Sequence, residues 1–295
     1  MEYSFSIVSK ACNNLCVNRK SPDDVMTISY TSPPPPPPPT TNSNNNNNNA
    51  PSPSSVPSSS LTIGALQRYP YMVSLQKLNY FCGGSLIAPD LVLSSAHCVE
   101  NGLLEEVVIN PYNIAIPQES TESFGVVGII IHPFYKTLTT AYDHDLSIIK
   151  MNGFTNHSII MRLNTDETLP KLGSKLQVVG WGGTSTGTFV TELYETEVQM
   201  VTCAGLPPHT ISSDSLCATG AINGICSGHG GSPLIIPGST FAEDIQVGLV
   251  SWSMEGSCEA EIYPHVYAGI EEEYGWIRSQ VCSLSNFPPD YFECT

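Results

Sequence analysis

The sequence predicts an all-β chain of sandwich or barrel type with one short helix near its C-terminal end, and three observations carry that prediction. Its 295 residues include 24 prolines, 23 glycines and 10 cysteines, and helices tolerate neither Pro, which lacks a donor, nor Gly, which costs about 1 kcal/mol in a helix interior. From residue 61 onward, short β-rich runs recur between turn residues. Apolar residues take helical spacing only near the end, at Ile270, Tyr274, Ile277 and Val281.

Reading from the N-terminus, residues 1–20 form a short segment holding Cys12 and Cys16, and residues 21–60 have nothing with which to build a core. They contain Pro33 to Pro39, Asn44 to Asn49 and a Ser/Pro tract ending at Ser60. The polyproline run is expected to extend by about 3.1 Å per residue while the Asn and Ser tracts stay flexible, which makes this a linker. It leads into one domain, residues 61–295. There the expected strands are Tyr71 to Gln76, Leu91 to Ser94, Gly125 to Ile131, Leu146 to Lys150, Leu176 to Val179, Leu193 to Val201, Gln246 to Trp252 and His265 to Ile270. The helix follows, with Glu271 to Glu273 expected in its first turn, where acids meet the positive end of the helix dipole.

Charge narrows the class of function. Charged residues make up 13% of the chain, with 27 acids against 11 bases and a net charge of −16. Lys10, Arg19 and Lys20 cancel Glu2, Asp23 and Asp24, so that whole excess falls on residues 61–295. Nucleic acid is therefore excluded as a partner. No apolar run is long enough to span a bilayer, so no membrane span is expected. The cysteines include no CxxC pair and point to disulfides formed in an oxidising compartment, hence to the secretory pathway or the extracellular space. No signal peptide is expected in the first 15 residues, which carry Glu2 and no apolar core longer than Phe5 to Val8.

Three motifs carry chemistry. Cys82-Gly83-Gly84-Ser85-Leu86-Ile87 is followed by Leu91-Val92-Leu93-Ser94-Ser95-Ala96-His97-Cys98, a histidine in a tight loop between cysteines able to close a ring. Tyr142-Asp143-His144-Asp145-Leu146 sets a carboxylate at the start of an apolar strand, where burial demands a donor and a histidine N–H is the natural one. Cys226-Ser227-Gly228-His229-Gly230-Gly231-Ser232-Pro233-Leu234 is a Gly-rich turn of the kind that bares backbone N–H groups. The remaining histidines, His132, His144, His157 and His209, sit in turns and are expected to be solvated. Asn156-His157-Ser158 is a glycosylation sequon, which would lie at the surface of an exported protein.

The order of histidine, aspartate and Gly-rich turn on a disulfide-stapled β chain resembles the chymotrypsin/trypsin family of serine proteases over roughly residues 63–282. Tyr69-Pro70-Tyr71-Met72-Val73-Ser74-Leu75, Gly180-Trp181-Gly182, Ser251-Trp252 and Pro264 to Tyr267 stand in family order with the motifs above. The resemblance implies two six-stranded antiparallel barrels with the site between them, a general base at His97 and its orienting carboxylate at Asp145. It also implies oxyanion donors at Gly228 and Gly230. For the disulfides it implies Cys82 with Cys98, Cys203 with Cys217 and Cys226 with Cys258, leaving Cys282 and Cys294 to join each other.

The nucleophile departs from the family pattern, Cys-x-Gly-Asp-Ser-Gly-Gly-Pro-Leu. Gly230 stands where the serine belongs and His229 where the aspartate belongs, while Cys226, Gly228 and Pro233-Leu234 match without a gap. Ser232 falls two residues late. The implied substrate pocket is changed as well: Gly224 at its base has no carboxylate, and Ser253, after Ser251-Trp252, and His265 replace glycines of its wall. The expectation is thus a monomeric homologue, without catalysis, cofactor or metal, that binds a protein or peptide partner. The alternative is an active endopeptidase using Ser232. A metal held by His97, Asp145 and His229 has suitable ligand types, but His229 falls where the family side chain points away from the triad. No activating cut is expected either, since Leu61-Thr62-Ile63-Gly64 lacks a preceding Lys or Arg and the aspartate that would receive a new ammonium is His229.

Overall fold

A computed structural model describes residues 62–63 and 68–294, apart from 78–79, 117, 120, 137–141, 157–158, 184–187, 221–228 and 255–262. Strand β1 is Thr62–Ile63; β2 (Met72–Lys77), β3 (Tyr80–Ala88), β4 (Leu91–Ser94), β5 (Glu106–Ile109), β6 (Glu122–Ile131) and β7 (Ser147–Met151) follow in chain order. They close into an antiparallel barrel in the order β2-β3-β4-β7-β6-β5. The second half supplies β8 (Arg162–Leu163), β9 (Lys175–Gly183), β10 (Phe189–Val201), β11 (Ser215–Thr219), β12 (Pro233–Ile236), β13 (Ile245–Trp252) and β14 (His265–Gly269). Here β9-β10-β11-β14-β13-β12 closes back on β9, with β1 added beside β10 and β8 beside β13. Two six-stranded barrels are therefore present, as expected. Register shifts at Leu86/Ala88, Val126/Gly128 and Val250/Trp252 supply the bends that closure of a twisted sheet requires.

One apolar cluster joins Tyr71, Leu75, Leu86 and Ile109 of the first barrel to Val179, Trp181 and Ile235 of the second. Another joins Leu91, Leu93 and Ile148 to Leu249, Ala268 and the C-terminal helix. Each such side chain contributes about 1.5–3 kcal/mol by leaving water, so the two barrels share their cores. Helix α1, Tyr274–Leu284, buries Ile277 and Val281. The acids expected in its first turn precede it instead: Glu273 is the N-cap and no acid lies in the first turn. Three disulfides, Cys82–Cys98, Cys203–Cys217 and Cys282–Cys294, close rings of 16, 14 and 12 residues. Cys226 and Cys258 lie outside the described residues, as do Cys12, Cys16 and the whole linker.

Candidate functional site

The site lies between the barrels because strand pairing brings its parts there. His97 sits on a single 3-10 turn, Ala96–Cys98, that leaves β4, and the Cys98 disulfide to β3 anchors the turn. The pairing of β4 with β7 sets Ser94 opposite Ser147, so the residues just beyond, His97 and Asp145, converge. Asp145 is fully buried. It accepts the His97 backbone N–H at 2.9 Å, the His97 Nδ1–H at 2.7 Å and, from β13 of the other barrel, the Ser251 hydroxyl at 2.6 Å. Three donors satisfy this buried carboxylate, and the bond from Nδ1–H leaves the lone pair of His97 on Nε2.

What that lone pair faces is a glycine. A Cβ built on Gly230 would overlap His97 Nε2 and stand 3.3 Å from Cys98 Sγ. The imidazole thus reaches into the volume that a side chain at position 230 would fill. The turn itself is fixed: the Gly83 N–H donates to Gly230 O at 2.8 Å and the Gly231 N–H to Val250 O at 2.9 Å, with Gly231 at φ 75°. Ser232 is brought elsewhere. Its hydroxyl is buried without a hydrogen-bond partner and lies against Gly83 and Gly180, where an added Cβ would overlap it.

His229 is also turned away from His97. It is buried and its Nε2 is hydrogen-bonded to the Tyr194 hydroxyl, with the two rings edge to face at 5.2 Å. Burial pushes the Tyr194 phenol up, so its hydroxyl keeps its proton. His97, Asp145 and His229 form no common ligand set among the described residues. Cys82 and Cys98 lie close to His97, but their sulfurs are already bonded to each other.

The expected pocket residues divide. His265, on β14, is buried, its Nε2 has no partner, and burial lowers its pKa to about 4, so the ring is neutral at ordinary pH. Trp252 ends β13 half-buried, and Ser253 beyond it is exposed. Gly224 and Gly228 lie outside the described residues.

Sequence reasoning missed one cluster and placed it in solvent. His132 is buried, 5% exposed, and His144 is half-buried. Both rings turn to the Glu273 carboxylate, and Trp276 packs edge-on against His132 at 4.6 Å. Glu273, just before α1, and Trp276, within it, cover His132, a contact between residues too far apart in the chain for local pattern to reveal. His157 and His209 belong to segments whose side chains are not described.

With this geometry in hand, comparison with known proteins gives a consistent picture. The family model described as Trypsin matches residues 62–277. Trypsin Blo t 3 of Blomia tropicalis is 31% identical over 227 residues, covering 72% of this chain and 81% of that protein. Trypsin I-P1 of Gallus gallus is 29% identical, covering 72% and 85%. Chymotrypsin-like elastase family member 3B of Macaca mulatta is 27% identical, covering 78% and 97%.

Proposed function

The chain belongs to the trypsin family of serine proteases, and on that premise we propose that it has kept the fold without the reaction and works as a binding or regulatory module. The observation that carries this reading is the glycine beneath His97: position 230 offers no hydroxyl, and the imidazole occupies the space one would need. A triad deprived of its nucleophile retains only the residual catalysis of binding and oxyanion donors, a loss on the order of 10⁶ in turnover. Ser232 is a poor substitute, because its hydroxyl is buried and makes no bond to His97. The partner is a protein or peptide that meets the chain as a monomer. Disulfides support a place in the secretory pathway or outside the cell.

The test is exposure of the purified chain to a fluorophosphonate probe, which labels an activated serine whatever the substrate preference. No labelling is expected. Stoichiometric labelling at Ser232 would overturn the reading.

A further inference from the structure

On the side of the first barrel that meets α1, three ligand-type side chains converge away from His97. His132 follows β6 and His144 precedes β7, and the backbone ties this turn together, with the His132 N–H on Leu146 O at 3.0 Å and the Leu146 N–H on His144 O at 2.7 Å. The imidazoles lie stacked, 4.8 Å apart and 20° from parallel. Both point at one carboxylate: His132 Nε2 is 3.0 Å from Glu273 Oε2 and His144 Nδ1 is 2.5 Å from Glu273 Oε1. The three donor atoms all lie within 4.8 Å of one another. A tetrahedral ion with bonds of about 2.1 Å wants its donors about 3.4 Å apart, so small ring rotations suffice.

We propose that His132, His144 and Glu273 form a zinc site that clips the first barrel to the start of α1. Two imidazole nitrogens and one carboxylate oxygen suit a borderline ion and not Ca²⁺ or Mg²⁺, which take oxygen ligands. A water completes the coordination from the side of His144, whose side chain is 26% exposed.

Asp143, next to His144 in the chain, is 2% exposed and its Oδ2 has no hydrogen-bond partner. Asp214 is also buried, and its carboxyl interacts electrostatically with both His144 and Glu273. Burial pushes the carboxyls of Asp214 and Glu273 up. No Lys or Arg pairs with Asp214 or Glu273 among the described residues. His144 lies against both carboxylates, and a divalent ion bound to Glu273 would add positive charge beside them.

Zinc entry rearranges protons in a way that can be followed. The Phe134 backbone N–H donates to His132 Nδ1 at 3.3 Å, which leaves the ring proton on Nε2. Ligation at Nε2 moves that proton to Nδ1 and releases the Phe134 N–H. Phe134 lies in an exposed turn, 59% accessible, so its peptide can turn to water. His144 shifts its proton to Nε2 in the same way.

Zinc titration of the full-length chain, read by calorimetry and by amide NMR, tests the site. One saturable zinc per chain is expected, with the Phe134 amide among the signals that shift and with no competition from Ca²⁺ or Mg²⁺. His144→Gln and Glu273→Gln should each weaken this binding at least a hundredfold, while melting in EDTA shows His144→Gln as stable as the parent. Cobalt should give the d–d bands of a nitrogen and oxygen site. Absence of saturable binding, equal binding by both variants, or a thiolate charge-transfer band placing the ion on cysteine would each overturn the proposal.

Discussion

Position 230 decides what any repair of this site must overcome. Because a Cβ there overlaps His97 Nε2, Gly230→Ser either displaces the imidazole or strains the turn, and overpacking of this kind costs about 1–3 kcal/mol. Urea unfolding should register that loss. Adding His229→Asp should still yield little turnover of peptide esters, since the buried ring of His265 remains at the position that family resemblance gives to the pocket wall and binding energy cannot then be directed to the transition state; near-family turnover would show an open pocket. His265 also makes a pH prediction. Its folded pKa of about 4 lies below the unfolded value of about 6.5, so the unfolded chain takes up a proton first and stability falls as pH drops from 6.5 toward 4. The loss attributable to this ring is about 3 kcal/mol. His265→Phe should flatten the slope, measured by denaturation at a series of pH values. At this scale the meeting of His97 and Asp145 was legible, because motif order and a buried carboxylate's need for a donor both pointed to it. The burial of His132 was not, because Trp276 and Glu273 cover it from well over a hundred residues away.

Among the elements, strands carrying a clear apolar run were readable even where a glycine interrupts it, as Gly248 does in β13, and several others were not. β4 was read with its bounds, and β2, β7 and β13 to within a residue at each end. β3 escapes the sequence pattern because Gly83-Gly84 breaks it, yet both glycines are needed: a Cβ on Gly83 would overlap Ser232 and one on Gly84 would stand 2.9 Å from Val92. β5 opens on Glu106, and β12 is four residues beginning with Pro233, so neither gave a local signal. The junction of α1 with the first barrel rests on Asp90, between β3 and β4. This buried carboxylate accepts from Lys150, from the Ser285 hydroxyl at 2.6 Å and from the Asn286 N–H at 2.9 Å. Burial alone would raise its pKa, but these donors hold it below the usual range. Its contribution is therefore present above the unfolded pKa and is lost as pH falls through the folded one. Asp90→Asn should cost about 3 kcal/mol at neutral pH, with the gap from the parent closing in acid; an unchanged denaturation midpoint would show that the lock is idle.

At the scale of the molecule, the shared cores make the barrels one cooperative unit. Calorimetry should show a single transition whose van't Hoff and calorimetric enthalpies agree, whereas two resolved transitions would mean that the barrels unfold separately. β1 joins this unit by pairing Thr62 with Glu195 and Ile63 with Tyr194. Trimming the chain to begin at Leu61 should leave the melting temperature unchanged, because the turn that activation would reorganise is already held by His229 and Tyr194; a clear rise on trimming would mean that a new terminus still docks. That buried pair has a consequence for descent. Restoring a carboxylate at 229 by itself would bury a charge beside a phenol, and restoring a hydroxyl at 230 by itself would crowd His97. Each lone reversal should lower stability before any catalysis could offset it, so on the reading proposed above the two positions act as a ratchet, and lineages that carry this arrangement should diversify their surfaces sooner than regain the reaction.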